Sequence, residues 1–189
     1  MTSSYPCRTN LTDDEFLQHM IPHHQMAINI SRQHDKYTHN DIIKSIIRDL
    51  IRTQTYEIYL MQTQLHRKID NISIIQNHNP VIYTTISNSY PNTVQLTNTY
   101  CDPQFFNPNM NMNMHMHSGN NVSTDKMYID HMIPHHQVAI DMCKLIMKNT
   151  KNDFIMSLAY EMLKTQEAEV FLLNNLRLSN TVPNQLYYC

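Results

Sequence analysis

The decamer "HMIPHHQMAI" occupies residues 19–28, and "HMIPHHQVAI" occupies residues 131–140. The offset between them is 131 − 19 = 112 residues. With no insertion or deletion, the same offset aligns "NDIIKS" (40–45) with "NDFIMS" (152–157) and "DLIRTQTYEIYLM" (49–61) with "EMLKTQEAEVFLL" (161–173). A period this long is one supersecondary unit written twice. The two units run over 12–67 and 124–178, joined by a crossover at 68–123 and followed by a tail at 179–189, within a single domain.

Each unit has a helical period. At 100° per residue, with Met20 at the centre of the buried face, Phe16, His23, His24, Ala27 and Ser31 fall on that same face. The second unit puts Tyr128, Met132, His135, His136, Ala139 and Cys143 in the matching places. Further on, Ile47, Leu50, Ile51, Ile58, Met61 and Leu65 form a stripe with Gln54 at its middle and Glu57 at its edge. Its counterpart carries Ala159, Met162, Leu163, Val170 and Leu173, with Gln166 and Glu169 in those two positions. "TDDE" (12–15) reads as a capping box. Thr124 and Asp125 can still cap, although Met127 replaces the glutamate. Asn40 or Asp41, and Asn152 or Asp153, are expected to cap the second helix of each unit. The pattern predicts two αα-hairpins with helices of about 20–25 residues, an all-α fold of four helices.

Pro22 and Pro134 interrupt the first helix of each hairpin. An internal proline removes a hydrogen bond and costs about 3 kcal/mol. Either it kinks the helix and re-aims the histidine pair that follows, or it opens a new helix after a separate first turn.

Composition narrows the function. A net charge of −2 gives no electrostatic case for nucleic acid or an anionic membrane. One Gly in 189 residues argues against a glycine cradle for phosphate. No basic start precedes an apolar run and no stretch approaches a membrane span, so the expectation is a soluble, intracellular protein. Cys7, Cys101, Cys143 and Cys189 are too scattered for a zinc knuckle and read as free thiols. The anomaly is twelve His and fourteen Met, both side chains able to ligate soft or borderline metals.

A core stripe that carries His-His opposite Gln-x-x-Glu is unusual, because an unpaired buried polar group costs about 1–3 kcal/mol. These groups are expected to be partnered, either with one another in a metal-free hydrogen-bonded network or with a metal. The crossover supplies a second signal. Between residues 74 and 122 the one formally charged residue is Asp102, and the run "MNMNMHMH" presents Met110, Met112, Met114, His115, Met116 and His117 with no helical stripe. It reads either as a soft-ligand segment for Cu(I) or a similar ion, or as compositional drift in an Asn-rich gene. "VIYTTI" (81–86) is a candidate strand within an otherwise irregular crossover.

The stretches "FLQHMIPHHQMAI" (16–28) and "YIDHMIPHHQVAI" (128–140), with "QTYEIYLM" (54–61) and "QEAEVFLL" (166–173), resemble the helical, ferritin-like proteins grouped as domain of unknown function 305. Met26, Val138 and Leu173 depart from that family's pattern. The resemblance implies a ferritin-like four-helix bundle and, by analogy with a copper-binding member, copper bound through His and Met. The expected function is therefore non-catalytic copper sequestration, buffering or delivery, with another soft or borderline ion also possible chemically. His23, His24, His135 and His136 would supply imidazole and Met20 and Met132 thioether. Glu57 and Glu169 would either ligate or orient the rings. The rivals are a metal-free structural or interaction bundle and a di-metal oxidoreductase. The latter's Glu-x-x-His motif is missing from the chain. A metal ion is the one partner the residues indicate, and no protein partner is legible.

Overall fold

A computed structural model describes residues 11–75 and 124–179. They form four helices: α1 (Asp13–His34), α2 (Asp41–Ile75), α3 (Asp125–Asn149) and α4 (Asp153–Ser179). Helix α1 packs on α2, α3 packs on α4, and α1 against α3 joins the two hairpins into an all-α bundle. The candidate strand at 81–86 and the methionine-rich run at 110–117 lie outside the described residues.

The helix starts follow the capping signals. Glu15 donates its backbone N–H to the Thr12 hydroxyl at 3.3 Å, and the Glu15 carboxylate accepts from the Thr12 backbone at 3.0 Å, completing the box. Met127 donates to the Thr124 hydroxyl at the start of α3, with no reciprocal carboxylate. Between the alternatives for α2 and α4 the structure selects the asparagines. Asn40 Oδ1 accepts from Ile42 and Ile43, and Asn152 Oδ1 accepts from Phe154 and Ile155. Helix α2 runs for 35 residues, longer than its spacing alone suggested, and the sequence offers no proline or glycine to stop it before Pro80.

Both prolines sit inside unbroken helices, so α1 and α3 each continue through Pro22 and Pro134 rather than starting anew there. A proline ring clashes with the carbonyl four residues back, here on Gln18 and Asp130.

The core is built unequally. Helices α1 and α3 are buried nearly all round: Leu17, Ile21, Met26, Ile28 and Ile30 are covered as well as the Met20 face, and Ile129, Val138, Ile140 and Met142 likewise in α3. Helices α2 and α4 bury one stripe each, including Leu50, Met61, Met162 and Leu173, and leave Tyr56, Tyr59 and Phe171 exposed. The inner pair is sandwiched between its own hairpin partner and the other hairpin, which one amphipathic stripe per helix did not anticipate.

Candidate metal centre

The site grows out of the α1–α3 contact. His23, His24, His135 and His136 are all fully buried, as are Met20 and Met132 one helical turn before them. The His23 and His135 rings lie face to face with centroids 3.7 Å apart and planes inclined by 31°. His23 donates from Nε2 to the backbone carbonyl of His135 at 3.0 Å. Residues offset by 112 therefore meet across the contact between hairpins.

Behind each histidine pair stands a glutamate from the outer helix of the same hairpin. His24 donates from Nε2 to Glu57 Oε2 at 2.7 Å, and His136 donates from Nε2 to Glu169 Oε2 at 2.5 Å. An ionised carboxylate only accepts, so Nε2 carries a proton in both rings, and in the neutral tautomer Nδ1 would hold the lone pair. Nδ1 of His24 and of His136 is buried with no hydrogen-bond partner among the described residues. The two pairs span the same 33 residues and have the same chemistry.

Burial holds His23 and His135 well below the ordinary imidazole pKa of 6.5, and neighbouring imidazoles lower each further: His24 and His136 act on His23, and His23 and His131 on His135. The His135 carbonyl works in the opposite direction on His23 without reversing the balance. Both rings are neutral at neutral pH and able to offer lone pairs.

Gln54 is 1 % exposed, and among the described residues neither its amide nitrogen nor its oxygen meets a hydrogen-bond partner; the same holds for the Oε1 of Gln166. Each stands one turn before its glutamate on the same face, where the glutamate takes the histidine donor. Periodicity places a residue on a face but does not supply the group opposite it.

Two histidines escaped the sequence reading. His19 and His131 lie one turn before His23 and His135, an i, i+4 spacing already legible in "HMIPHH". His19 is 5 % exposed, whereas His131 is half-buried with its Nε2 inside. The His131 and His135 ring centroids are 6.0 Å apart.

The hairpins differ at their periphery. Tyr128 shares a hydrogen bond with Ser31 at 2.9 Å and stacks on His34 at 4.6 Å, and His34 donates from Nε2 to Asp125 at 2.9 Å. The residues 112 away from Tyr128, Ser31 and His34 are Phe16, Cys143 and Ile146, all fully buried. Burial pushes the Cys143 thiol up, and the Glu57 charge adds to the shift, so it stays protonated.

Among the described residues no three His, Cys, Asp or Glu side chains are disposed as ligands of one ion. No helix among them is long and apolar enough to cross a membrane.

Three kinds of likeness place the chain. An uncharacterised protein of Acanthamoeba polyphaga mimivirus is 35% identical over 63 residues, which is 33% of this chain and only 41% of that protein. Among solved structures, CopM in its Cu(I)-bound form matches with a TM-score of 0.64 at 23% identity, covering 90% of this chain and 99% of CopM. The Cu(II)-bound form of CopM gives 0.65 at 24%, covering 90% and 98%. A DUF305 protein from Streptomyces coelicolor, described as secreted, gives 0.55 at 16%, covering 94% and 98%. At these identities the likenesses establish a shared bundle, and they lend no support to an intracellular location. The family model described as "Domain of unknown function (DUF305)" matches residues 4–65 and 97–177, and so the chain belongs to the DUF305 family.

Proposed function

We propose that this chain is a non-catalytic copper-binding protein that sequesters, buffers or delivers the ion. The observation that carries the reading is the pair of buried histidines, His24 and His136, each with Nε2–H given to a glutamate and Nδ1 without a hydrogen-bond partner among the described residues. Metal-ligating histidines are commonly held this way, with a carboxylate fixing the tautomer and the opposite nitrogen turned to the metal. Of the alternatives for Glu57 and Glu169, orientation is the better supported, since each already accepts from a ring. Their charges would also offset that of a buried cation. His23 and His135 add neutral imidazoles, and Met20 and Met132 add thioethers on the same helix face, a soft donor set that favours copper, above all Cu(I), over hard ions. The Gln54 amide and the Gln166 Oε1, both without hydrogen-bond partners among the described residues, fit an interior that accommodates a polar guest. CopM, solved with Cu(I), Cu(II) and Ag bound, shares the fold.

Residues Met110, Met112, Met114, His115, Met116 and His117 are a second, softer ligand set in this reading. Thioether does not protonate in water, so this set should hold Ag(I) at pH 5, where an ordinary solvent-exposed imidazole is protonated.

A metal-free bundle with a polar core is the second reading, favoured by the lack of three convergent ligands among the described residues. Metal analysis of the purified protein followed by Cu(I) and Ag(I) titration separates the two. Copper binding that weakens in the His24→Ala/His136→Ala double variant supports the first. Unchanged binding with reduced thermal stability establishes the second for the core.

A further inference from the structure

We propose that His131 is the entry ligand of the core, passing a soft metal ion to the His23/His135 pair and from there to His24 and His136. This rests on the copper-binding reading and adds a route and a direction to it.

The six histidines of the two decamers form a graded row. Its inner members, His23, His24, His135 and His136, are fully buried, and an ion arriving from solvent meets none of them first. His131 alone among the six is half-buried, and its Nε2 already lies inside the protein. Its ring is 6.0 Å from that of His135, which is 3.7 Å from His23; His136 then lies 6.0 Å from His135, and His24 lies 6.1 Å from His23. His131 is also near enough to act electrostatically on both His23 and His135. Its counterpart His19 is buried, so the duplicated motif opens at one end.

Two imidazole nitrogens sharing one ion, each at about 2.0 Å, stand about 4 Å apart. Rings with centroids no more than 6.1 Å apart, as all of these are, can reach that separation by side-chain rotation. Each transfer forms one metal–nitrogen bond and breaks another, with no change of oxidation state, and needs only two ligands at a time. The row therefore conducts an ion without three ligands converging anywhere along it.

Stopped-flow loading of the full chain with Ag(I) tests the route, with the final stoichiometry measured on the same samples. His131→Ala should load on the order of tenfold more slowly at unchanged stoichiometry, because the ion must then wait for the bundle to open. His19→Ala should load as the wild type does, and His131→Met, which restores a soft donor, should recover most of the rate. His131→Gln keeps the side chain's bulk and repeats the measurement should the alanine variant lose helicity. Equal rates in wild type, His131→Ala and His131→Gln would overturn the route while leaving the copper reading intact. Loss of a bound equivalent in His131→Ala would make His131 a resident ligand and overturn it too. A wild type that takes up no Ag(I) or Cu(I) at the core would remove both readings together.

Discussion

The two hairpins carry the same centre in different surroundings. His24–Glu57 and His136–Glu169 are the same hydrogen bond at the same chain separation. Around them, Phe16 stands at the position equivalent to Tyr128, Cys143 at that of Ser31, and Ile146 at that of His34. The polar set is closed: Ser31 bonds Tyr128, Tyr128 stacks on His34, and His34 bonds Asp125. The apolar set needs no such closure. Each set is internally consistent, and the difference shows that a buried hydroxyl and a buried imidazole are tolerated where their partners came with them. What stayed the same is the centre, where a change in one hairpin would leave a buried histidine donor unpaired.

The comparison breaks most visibly at the two aromatic mates. Phe16→Ala and Tyr128→Ala should each lower the unfolding free energy by about 3–5 kcal/mol in urea titrations, as large-to-small changes in a tight core do. Tyr128→Ala is expected at the upper end, since it also strips Ser31 and His34 of a neighbour. An effect below about 1 kcal/mol at either position would show that the hairpin interface is not packed as described.

Acid should act on the shared centre. His23 and His135 have folded-state pKa values held below 6.5, so at pH below that value the unfolded chain binds protons that the folded chain refuses. Stability is then full above about pH 6.5 and falls as pH drops toward the folded values, by about 1.4 kcal/mol per pH unit for each group. Chelator-treated protein should show a falling Tm between pH 7.5 and 5. His34, lowered by burial against the pull of Asp125, adds to the same trend. A flat profile would mean the rings are not kept neutral.

The glutamates sharpen what the hairpins share. Glu57→Ala and Glu169→Ala should cost about 1–3 kcal/mol each, because a buried imidazole N–H loses its acceptor. Glu57→Gln, which keeps an acceptor in place, should cost less than half as much. Unequal costs for the two alanine variants would reveal an asymmetry that the matched hydrogen bonds conceal.

The smallest effect tests what the hairpins do not share. Tyr128→Phe removes one hydroxyl bonded to Ser31 and should cost about 1 kcal/mol. Phe16→Tyr introduces a hydroxyl into a fully buried position beside apolar surroundings and should cost at least as much. If both exchanges were neutral, the peripheral network would be incidental to stability.

Much of this was legible along the chain. Every residue placed on the Met20 face by helical phase, from Phe16 to Ser31 and from Tyr128 to Cys143, is fully buried. The capping box at Thr12 and the paired hairpins follow from local chemistry and from the gap-free offset, because capping and phase depend on neighbours a few residues away. Those features, and the presence of His-His opposite Gln-x-x-Glu, belong to the sequence by itself.

Contacts between helices were decided only in three dimensions. Burial of α1 and α3 nearly all round arises because each touches two neighbours, which no single helix's stripe records. Gln54 and Glu57 sit on one face with equal claims to a histidine, and only packing gave the ring to the carboxylate and left the amide without a partner among the described residues. His19 and His131 are written identically in the two motifs. Their different exposure comes from what the rest of the bundle lays over each, and side-chain burial is a property of the assembled surface rather than of the residue.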